Sequence, residues 1–404
     1  MIRCTPLALM IASLLWACPS DISGPGTSDD PTPTEVPDPF WYRVDDAPQT
    51  VLALGADMVV TADGHIYVSW VYQRTTERFL RLSRSRTGGL SFEESLNLTN
   101  VNSNPSVGPG KRPRLTVGAG QVIVSFDDGD QSFRADVSRN DEDVLTAQSV
   151  VEVGPLGSAW TEEFAQSLLT HGGNLLTVVR IEDGGAEWLG LEQGADNSAY
   201  TDLSAGVSGI PSADCPLTLF ESASGDVYVA WRNDVGGLRE QYVRVRRSGQ
   251  QSFDEITQVT DTGWVTTQSP FEAPVMAQAP SGRLWMAFAE SGSSIWRVRS
   301  IWSDDGIVWN DEQQVAPDLE LGAQRDPRIA IGPDGRIWIA FEEVGAGPVL
   351  YYSDDEGMSF ERFDVPDTDE GTGANPVLAG GGDAVYVLVG GPLGTLWLGE
   401  LPEQ

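Results

Sequence analysis

The stretch Pro327–Phe341, PRIAIGPDGRIWIAF, decides the fold because it places two short apolar runs on either side of a turn sequence, Gly-Pro-Asp-Gly. Branched and aromatic residues fill both runs, a composition that is typical of β-strands rather than helices. The stretch therefore predicts a β-hairpin whose second strand begins directly after Gly335.

The same hairpin pattern recurs along the chain. A glycine precedes the second strand at positions spaced 47 to 57 residues apart, namely Gly64, Gly120, Gly173, Gly225, Gly282, Gly335 and Gly382. A third alternating run follows each hairpin, and a fourth, more polar run follows the first six. Four antiparallel strands cannot bury both of their faces alone, so the units must pack face to face, and a closed ring protects all but the short outer edges. The sequence predicts an all-β fold, a seven-bladed β-propeller of four-stranded antiparallel blades.

The two ends of the repeat region predict how the ring closes. The seventh unit ends at Gln404 after three strands, whereas the segment 40–47, FWYRVDDA, is a single strand ahead of the first unit. We expect this N-terminal strand to be the outermost strand of the last blade, so that the propeller spans residues 40–404. The alternative is an extension that packs on the first blade.

The N-terminal residues predict export. The apolar run Leu7–Ala17 is too short to span a bilayer and follows Arg3, so residues 1–17 are interpreted as a signal peptide. Leu15-Trp16-Ala17-Cys18 resembles a bacterial lipobox, which implies a lipid on Cys18, although Trp16 departs from the usual pattern and cleavage without lipidation is the alternative. Residues 18–39 are rich in Pro, Ser and Asp and predict a disordered tether. The expected location is an exported, membrane-anchored lipoprotein that faces the periplasm or the cell surface.

Charge and composition exclude several classes of partner. The formal charge of −34 disfavours nucleic acid and anionic lipid, so contact with a membrane is expected only through the N-terminal lipid. With two histidines and no calcium-loop or nucleotide-binding motif, the sequence predicts neither a metal nor a cofactor. Loss of Cys4 and lipidation of Cys18 leave Cys215, which we interpret as a small buried apolar residue.

A turn motif follows the third strand of the sixth unit. Residues 351–360, YYSDDEGMSF, fit the pattern S-x-D-x-G-x-[ST]-[WF] with Ser353, Asp355, Gly357 and Phe360. An aspartate in such a hairpin accepts hydrogen bonds from backbone N–H groups of the turn, glycine permits positive φ, and the aromatic ring folds inward. Partial versions elsewhere keep Ser85, Gly89 and Phe92, with Thr87 in place of aspartate, and Asp304, Gly306 and Trp309. In the fourth unit RRSGQQSF, residues 246–253, keeps only Ser252 and Phe253.

These turns resemble the Asp-boxes, or bacterial neuraminidase repeats, of sialidase-like propellers, and the resemblance covers most of residues 40–404 through repeat length and box position. It implies that the box residues are structural and lie on the outer rim. Sialidases bind the substrate carboxylate with three arginines, the first in an Arg-Ile-Pro motif, and cleave with Tyr, Glu and Asp. This sequence has no Arg-Ile-Pro, Arg43 matches that arginine only loosely by position, and sialidase propellers are typically six-bladed. The resemblance therefore implies the fold more strongly than the activity.

Ligand sites in propellers generally line the mouth of the central channel, where the connections into the innermost strands converge. In this sequence the connections carry charged candidates, namely Arg112, Arg114, Asp214, Glu272, Arg325, Asp326 and Arg328. Arg112 and Arg325 are candidates to bind a carboxylate or sugar hydroxyls, with Glu272 and Asp326 as a weak catalytic carboxylate pair. Alternatively, the same side chains form ion pairs that close the channel.

The function expected from these features is non-catalytic binding of a glycan or an envelope protein by a monomeric propeller. An exo-sialidase-type glycoside hydrolase is the alternative, and an architectural subunit of an envelope complex is the third possibility. Fold likeness alone does not decide between them.

Overall fold

The computed structural model describes residues 40–45, 52–99, 104–107, 111–118, 120–129, 131–140, 142–153, 161–183, 186–193, 200–207, 209–211, 217–235, 238–260, 273–291, 296–310, 312–317, 322–368, 374–391 and 394–403. These ranges fall in one compact unit. The predicted signal peptide, Cys18 and the tether lie outside the described residues. Within these ranges, no helix is long and apolar enough to cross a membrane.

The described chain is organised as seven antiparallel sheets in sequence order, which we call blades 1 to 7. Strand β1 (Trp41–Arg43) comes first in the chain and belongs to blade 7. Blade 1 contains β2 (Leu52–Val60), β3 (Ile66–Arg74), β4 (Glu77–Ser85) and β5 (Leu96–Asn97). Blade 2 contains β6 (Arg114–Gly118), β7 (Gln121–Asp128), β8 (Gln131–Arg139) and β9 (Leu145–Val153). Blade 3 contains β10 (Thr161–Leu169), β11 (Leu175–Asp183), β12 (Ala186–Gln193) and β13 (Tyr200–Asp202).

The innermost strand of blade 4 consists of two pieces that pair with the same neighbour, β14 (Ile210–Pro211) and β15 (Thr218–Glu221). The blade continues with β16 (Val227–Val235), β17 (Leu238–Arg246) and β18 (Thr257–Gln258). Blade 5 contains β19 (Val275–Gln278), β20 (Leu284–Ser291), β21 (Trp296–Ser303) and β22 (Gln313–Gln314). Blade 6 contains β23 (Gln324–Ile331), β24 (Ile337–Glu343), β25 (Gly347–Ser353) and β26 (Glu361–Phe363). Blade 7 contains β27 (Ala374–Gly381), β28 (Ala384–Gly390) and β29 (Leu396–Leu401).

The N-terminal strand closes the ring, as the sequence predicts. Strand β1 pairs antiparallel with β29 and completes blade 7, with Tyr42 opposite Leu398. The indole N–H of Trp41 donates a 2.8 Å hydrogen bond to the carbonyl oxygen of Pro366, which lies after the last strand of blade 6. Each innermost strand contacts the next one along the chain, and β27 contacts β2, so the sheets form a seven-bladed β-propeller.

The core is divided among the gaps between blades. The described residues form seven buried apolar clusters, and each cluster joins two neighbouring blades. The largest side chains in these gaps come from the second strand of a blade, as with Trp70, Trp231, Trp285 and Trp338. The second strand of a blade therefore buries side chains on both faces, which explains the nearly continuous apolar runs that follow the repeat glycines.

The turn at residues 353–360 has the geometry that its sequence predicts. The backbone N–H of Ser359 donates to Asp355 Oδ1 at 2.9 Å, and the N–H of Gly357, at a φ of 76°, donates to Ser353 Oγ at 2.8 Å. Phe360 packs against the apolar cluster between blades 5 and 6. In blade 1 the hydroxyl of Thr87 accepts the N–H of Ser91 at 3.0 Å, so threonine takes the place of the aspartate.

One predicted turn residue is corrected by the structure. In blade 5 the backbone N–H groups of Ile307 and Val308 each donate to Asp305 Oδ1 at 2.8 Å, so Asp305 rather than Asp304 is the turn aspartate. Asp304 instead pairs with Arg283 at the surface. The difference arises because this turn is one residue shorter between serine and glycine, so counting backwards from Gly306 selects the wrong carboxylate.

Candidate channel-mouth site

The propeller has two faces with different connections. Antiparallel pairing places the turns after the first and third strands of every blade on one face, which we call the lower face. The turns after the second strand and the connections into the next blade lie on the opposite face, which we call the upper face. The candidates predicted from sequence belong to these connections, so those in the described chain surround the upper mouth of the central channel.

Several innermost strands have a β-bulge near their first residues, at the end of the strand that lies at this mouth. The pairing register shifts at Gly55, Phe164, Asp326 and Asn375, and each of these residues has a φ between 50° and 59°. A bulge leaves one residue without a ladder partner, and proline, which lacks an N–H, fits directly after it. Pro327 and Pro376 directly follow two of these residues, Asp326 and Asn375.

Arg112 and Asp326 form an ion pair across the channel. Arg112 lies two residues before β6, the innermost strand of blade 2, and Asp326 lies on β23 of blade 6. The guanidinium Nη2 of Arg112 donates to Asp326 Oδ1. Arg328 Nη2 donates to the same carboxylate oxygen at 2.9 Å. All three side chains are nearly buried, with 6 to 10% of their surface exposed. Burial raises the pKa of Asp326, and the charges of Arg112 and Arg114 act in the opposite direction.

A second acid, which is partly buried, lies beside this group. Asp57 on β2 accepts the backbone N–H of Leu115 through Oδ2 at 2.7 Å and so joins blades 1 and 2. Burial raises the pKa of Asp57, against the opposing charge of Arg114. Burial and the neighbouring charge of Arg112 lower the pKa of Arg114 to about 10. Charges this close in a poorly solvated channel interact strongly, so the cluster behaves as one unit.

Other mouth residues are also engaged by protein partners. Arg325 Nη2 donates to Glu342 Oε1 at 2.8 Å. Asp127 accepts the backbone N–H of Phe164, the bulged residue of blade 3, at 3.2 Å, and the hydroxyl of Ser132 at 2.6 Å. Gln166 exchanges two hydrogen bonds with the backbone of Leu219, which joins blades 3 and 4. Polar side chains thus join neighbouring blades around the mouth.

The structure brings together Arg112, Arg114, Asp326 and Arg328 from the predicted set, and it places Arg325 in a separate pair. Asp214 and Glu272 lie outside the described residues. Sequence reasoning missed Asp57, although a signal was present, because Asp57 and Arg328 both lie seven residues before a repeat glycine.

The mouth combines ion-paired side chains with guanidinium N–H groups that have no acceptor among the described residues. Arg112 Nε, Arg114 Nη2 and Arg328 Nε are buried and have no hydrogen-bond acceptor within the described part of the chain. Buried guanidinium nitrogens without acceptors are costly, so they favour oxygen atoms of a ligand or of water. No group of three or more His, Cys, Asp or Glu side chains among the described residues is arranged to hold a metal ion.

Comparison with protein-family models and with curated proteins finds no match. Among solved structures, the chain is similar to a protein of unknown function from Dyadobacter fermentans, with a TM-score of 0.51, 10% identity and coverage of 90% of this chain and 98% of that chain. It is similar to an ulvan lyase from a new family of polysaccharide lyases, solved bound to a GlcA- and Rha3S-containing saccharide, with a TM-score of 0.56, 13% identity and coverage of 89% and 94%. Trypanosoma rangeli sialidase in complex with sialic acid gives a TM-score of 0.48, 11% identity and coverage of 77% and 58%. At these identities the likeness to the first two structures shows the propeller fold alone.

Proposed function

We propose that this protein is a lipid-anchored envelope propeller that binds a glycan or an envelope protein at the upper mouth of its channel and catalyses no reaction. The observation that carries the proposal is the engagement of Asp326 by Arg112 and Arg328. The protein's own carboxylate occupies two of the arginines that are candidates for binding a ligand.

The pairing of the charges supports binding rather than catalysis. Glycosidic cleavage needs a proton-donating acid and a second carboxylate about 5 to 10 Å away. Oδ1 of Asp326 accepts hydrogen bonds from two guanidinium groups, so this carboxylate is already engaged in internal ion pairs, which favour its ionised form. Arg325, the other candidate for binding a carboxylate, donates to Glu342.

The spare donors support a ligand that is rich in acceptor oxygens. Arg114 Nη2 is buried at the mouth and lacks an acceptor in the described chain. Hydroxyl, ring and carboxylate oxygens of a saccharide, or backbone carbonyls of a protein loop, supply such acceptors. The ulvan lyase is itself a structure solved with a bound saccharide, which favours a glycan within the proposed pair of ligand classes.

A glycan array tests the binding proposal, with the full-length chain held in a zwitterionic, sugar-free detergent. We expect binding to a subset of glycans that Arg114→Gln reduces by about tenfold, as for loss of a charge-assisted hydrogen bond. The control is Arg86→Gln, which removes an exposed arginine of the lower face that pairs with Glu93 and Asp143.

A fluorogenic sialoside and an unsaturated-product assay on acidic polysaccharides test the absence of catalysis. Turnover of either substrate by the wild-type chain would overturn the non-catalytic proposal. If no glycan binds, capture of an envelope protein that Arg114→Gln prevents would favour the protein ligand. Absence of both would contradict the proposal.

Lipid anchoring is tested separately in intact cells. Metabolic labelling with an alkyne-tagged palmitate should label the wild-type chain and not Cys18→Ser. A labelled Cys18→Ser chain, or an unlabelled wild type that is still exported, would contradict the predicted lipid attachment.

A further inference from the structure

A cleft of about 920 Å³ opens on the lower face between blades 3 and 4, on the side opposite the channel mouth. Its walls are the turn at residues 170–174 in blade 3 and the turns at residues 221–225 and 246–251 in blade 4. This volume lies within the range of pockets that hold small molecules, about 300 to 1,000 Å³.

The cleft exists because this blade junction lacks a contact that others have. In blade 6, a Cβ added to the turn glycine Gly357 would lie 2.0 Å from the ring of Trp285 in blade 5. In blade 5, a Cβ added to Gly306 would lie 2.4 Å from Tyr228 in blade 4. At these junctions the turn therefore packs directly on an aromatic side chain of the preceding blade.

Two sequence changes remove that contact between blades 3 and 4. The turn at 246–253 lacks the serine, aspartate and glycine of the motif, and an added Cβ on Gly249 would have no neighbour within 4 Å. Leu176 of blade 3 takes the place of Tyr228 and Trp285, three residues after the repeat glycine. Leu176 is smaller than Tyr228 or Trp285, and the turn at 246–253 does not pack on it as the other turns pack on their aromatic residues. The cleft therefore stays open, and Leu176 lines it.

The charged side chains of the cleft differ in whether they have an ion-pair or hydrogen-bond partner. Glu221 is nearly buried and accepts the backbone N–H of His171 at 2.8 Å. Arg247 pairs with Asp226 at 3.1 Å and Asp254 at 3.5 Å. Arg246 lies over the ring of Phe253, 5.7 Å from its centroid, and forms no ion pair within the described chain. Arg246 is thus the cation that is available to a ligand. Burial lowers the pKa of its guanidinium group.

We propose that this cleft binds an acidic saccharide, with the carboxylate of a uronate unit on Arg246 and its hydroxyl groups on the surrounding amide and hydroxyl side chains. Guanidinium groups bind carboxylates through paired, charge-assisted hydrogen bonds. Asn174, Gln193, Ser248 and Gln250 line the same cleft and match the hydroxyl groups of a sugar ring.

The carboxylate of Glu221 favours a uronate over a simple polyanion as the ligand. This carboxylate interacts electrostatically with the guanidinium of Arg246, so the two groups together carry little net positive charge. A phosphate with two negative charges would be repelled by Glu221, whereas a sugar hydroxyl donates a hydrogen bond to it. The arrangement therefore favours a monoanion that carries hydroxyl donors. This site is independent of the upper-mouth proposal, because it lies on the other face and uses none of the channel residues.

Isothermal titration calorimetry on the full-length chain, in the same sugar-free detergent, tests the proposal with glucuronate, glucose and inorganic phosphate. We expect glucuronate to bind about tenfold or more tightly than either glucose or phosphate. Arg246→Gln should weaken glucuronate binding by about tenfold, and Leu176→Trp, which restores the aromatic residue of other blades, should abolish it by filling the cleft.

The control is Arg283→Gln, which removes an arginine of the lower face in blade 5 that already pairs with Asp304 and Glu356. This variant should leave glucuronate affinity unchanged. Equal affinity of wild type and Arg246→Gln, equal binding of phosphate and glucuronate, or no glucuronate binding by a folded wild type would each overturn the proposal. Arg114→Gln should not affect glucuronate binding here, so failure of this site and failure of the upper-mouth site are distinguishable.

Discussion

Arg112 of blade 2 and Asp326 of blade 6 are 214 residues apart in sequence and form an ion pair across the central channel. Blades 1 and 7 lie between them around the ring, so the pair connects non-neighbouring parts of the molecule. Most other mouth contacts, such as Asp57 with Leu115, join adjacent blades. The Arg112–Asp326 pair therefore fixes the relative position of blades 2 and 6 across the channel.

Removing one partner of this ion pair should lower the free energy of unfolding. Asp326→Asn leaves Arg112 and Arg328 nearly buried without their carboxylate, and breaking a buried ion pair costs about 3 to 5 kcal/mol of the free energy of unfolding. Arg112→Met should cost less, because Arg328 remains to balance Asp326. Urea denaturation followed by tryptophan fluorescence measures both changes.

The control for that measurement is Asp364→Asn, which breaks the pair of Arg362 and Asp364, two exposed side chains. Exposed pairs contribute little, so the free energy of unfolding should remain unchanged. If Asp326→Asn were as stable as Asp364→Asn, the channel would be well solvated and the pair would not hold the ring.

The turn glycines provide a second prediction, because their surroundings differ. Gly357→Ala places a Cβ 2.0 Å from Trp285, whereas Gly335→Ala, at a φ of 90°, meets nothing within 4 Å. Both substitutions incur the cost of a left-handed backbone, about 1 kcal/mol, and Gly357→Ala adds overpacking of about 1 to 3 kcal/mol. Thermal unfolding should show a clearly larger loss for Gly357→Ala. Equal losses would mean that blade 6 shifts away from Trp285 without cost.

The sequence was sufficient to predict the blades because each one is built from local pairings. The hairpin at residues 327–341 depends on neighbours within fifteen residues, and its composition and turn signals lie in one stretch. Closure by β1 was predictable for a different reason, since seven units with one missing fourth strand leave one place for residues 41–43.

The channel mouth was less predictable because its contacts are long-range. Position in the repeat places Arg112 and Asp326 at the mouth, but no pattern in the sequence tells which guanidinium crosses the channel to which carboxylate. Asp57 was overlooked because glycine and alanine precede it where other repeats have proline, as at Pro327. The assignment of Asp304 failed because a turn shortened by one residue changes which side chain faces the backbone N–H groups.

Ring closure gives a third prediction. Removal of residues up to 45 deletes β1, leaves the β29 edge unpaired and exposes the gap that Phe40 fills beside Gly399. Loss of a buried Phe or Trp costs about 3 to 5 kcal/mol, so this deletion should lower the melting temperature and promote association through the open edge. A chain that begins at Phe40 is the matched control and should remain as stable as the longer form. Equal melting temperatures and elution volumes would show that blade 7 is stable with three strands.

The turn aspartate Asp355 gives a prediction about acid stability. Burial acts to raise the pKa of Asp355, but hydrogen bonds from the side chain and backbone of Ser359 outweigh it and hold the pKa below its ordinary value of 3.8. A carboxylate with a lowered pKa in the folded state contributes stability that is fully present above its unfolded pKa and is lost as the pH falls through the folded pKa. Asp355→Asn should therefore lower the free energy of unfolding by about 1 kcal/mol at neutral pH, and the difference from wild type should shrink below about pH 4.

Urea denaturation between pH 7 and pH 3 measures this difference. Asp304→Asn is the control, because Asp304 makes no hydrogen bond to the turn backbone within the described chain. A difference that stays constant across this range would mean that the negative charge of Asp355 does not contribute to the turn.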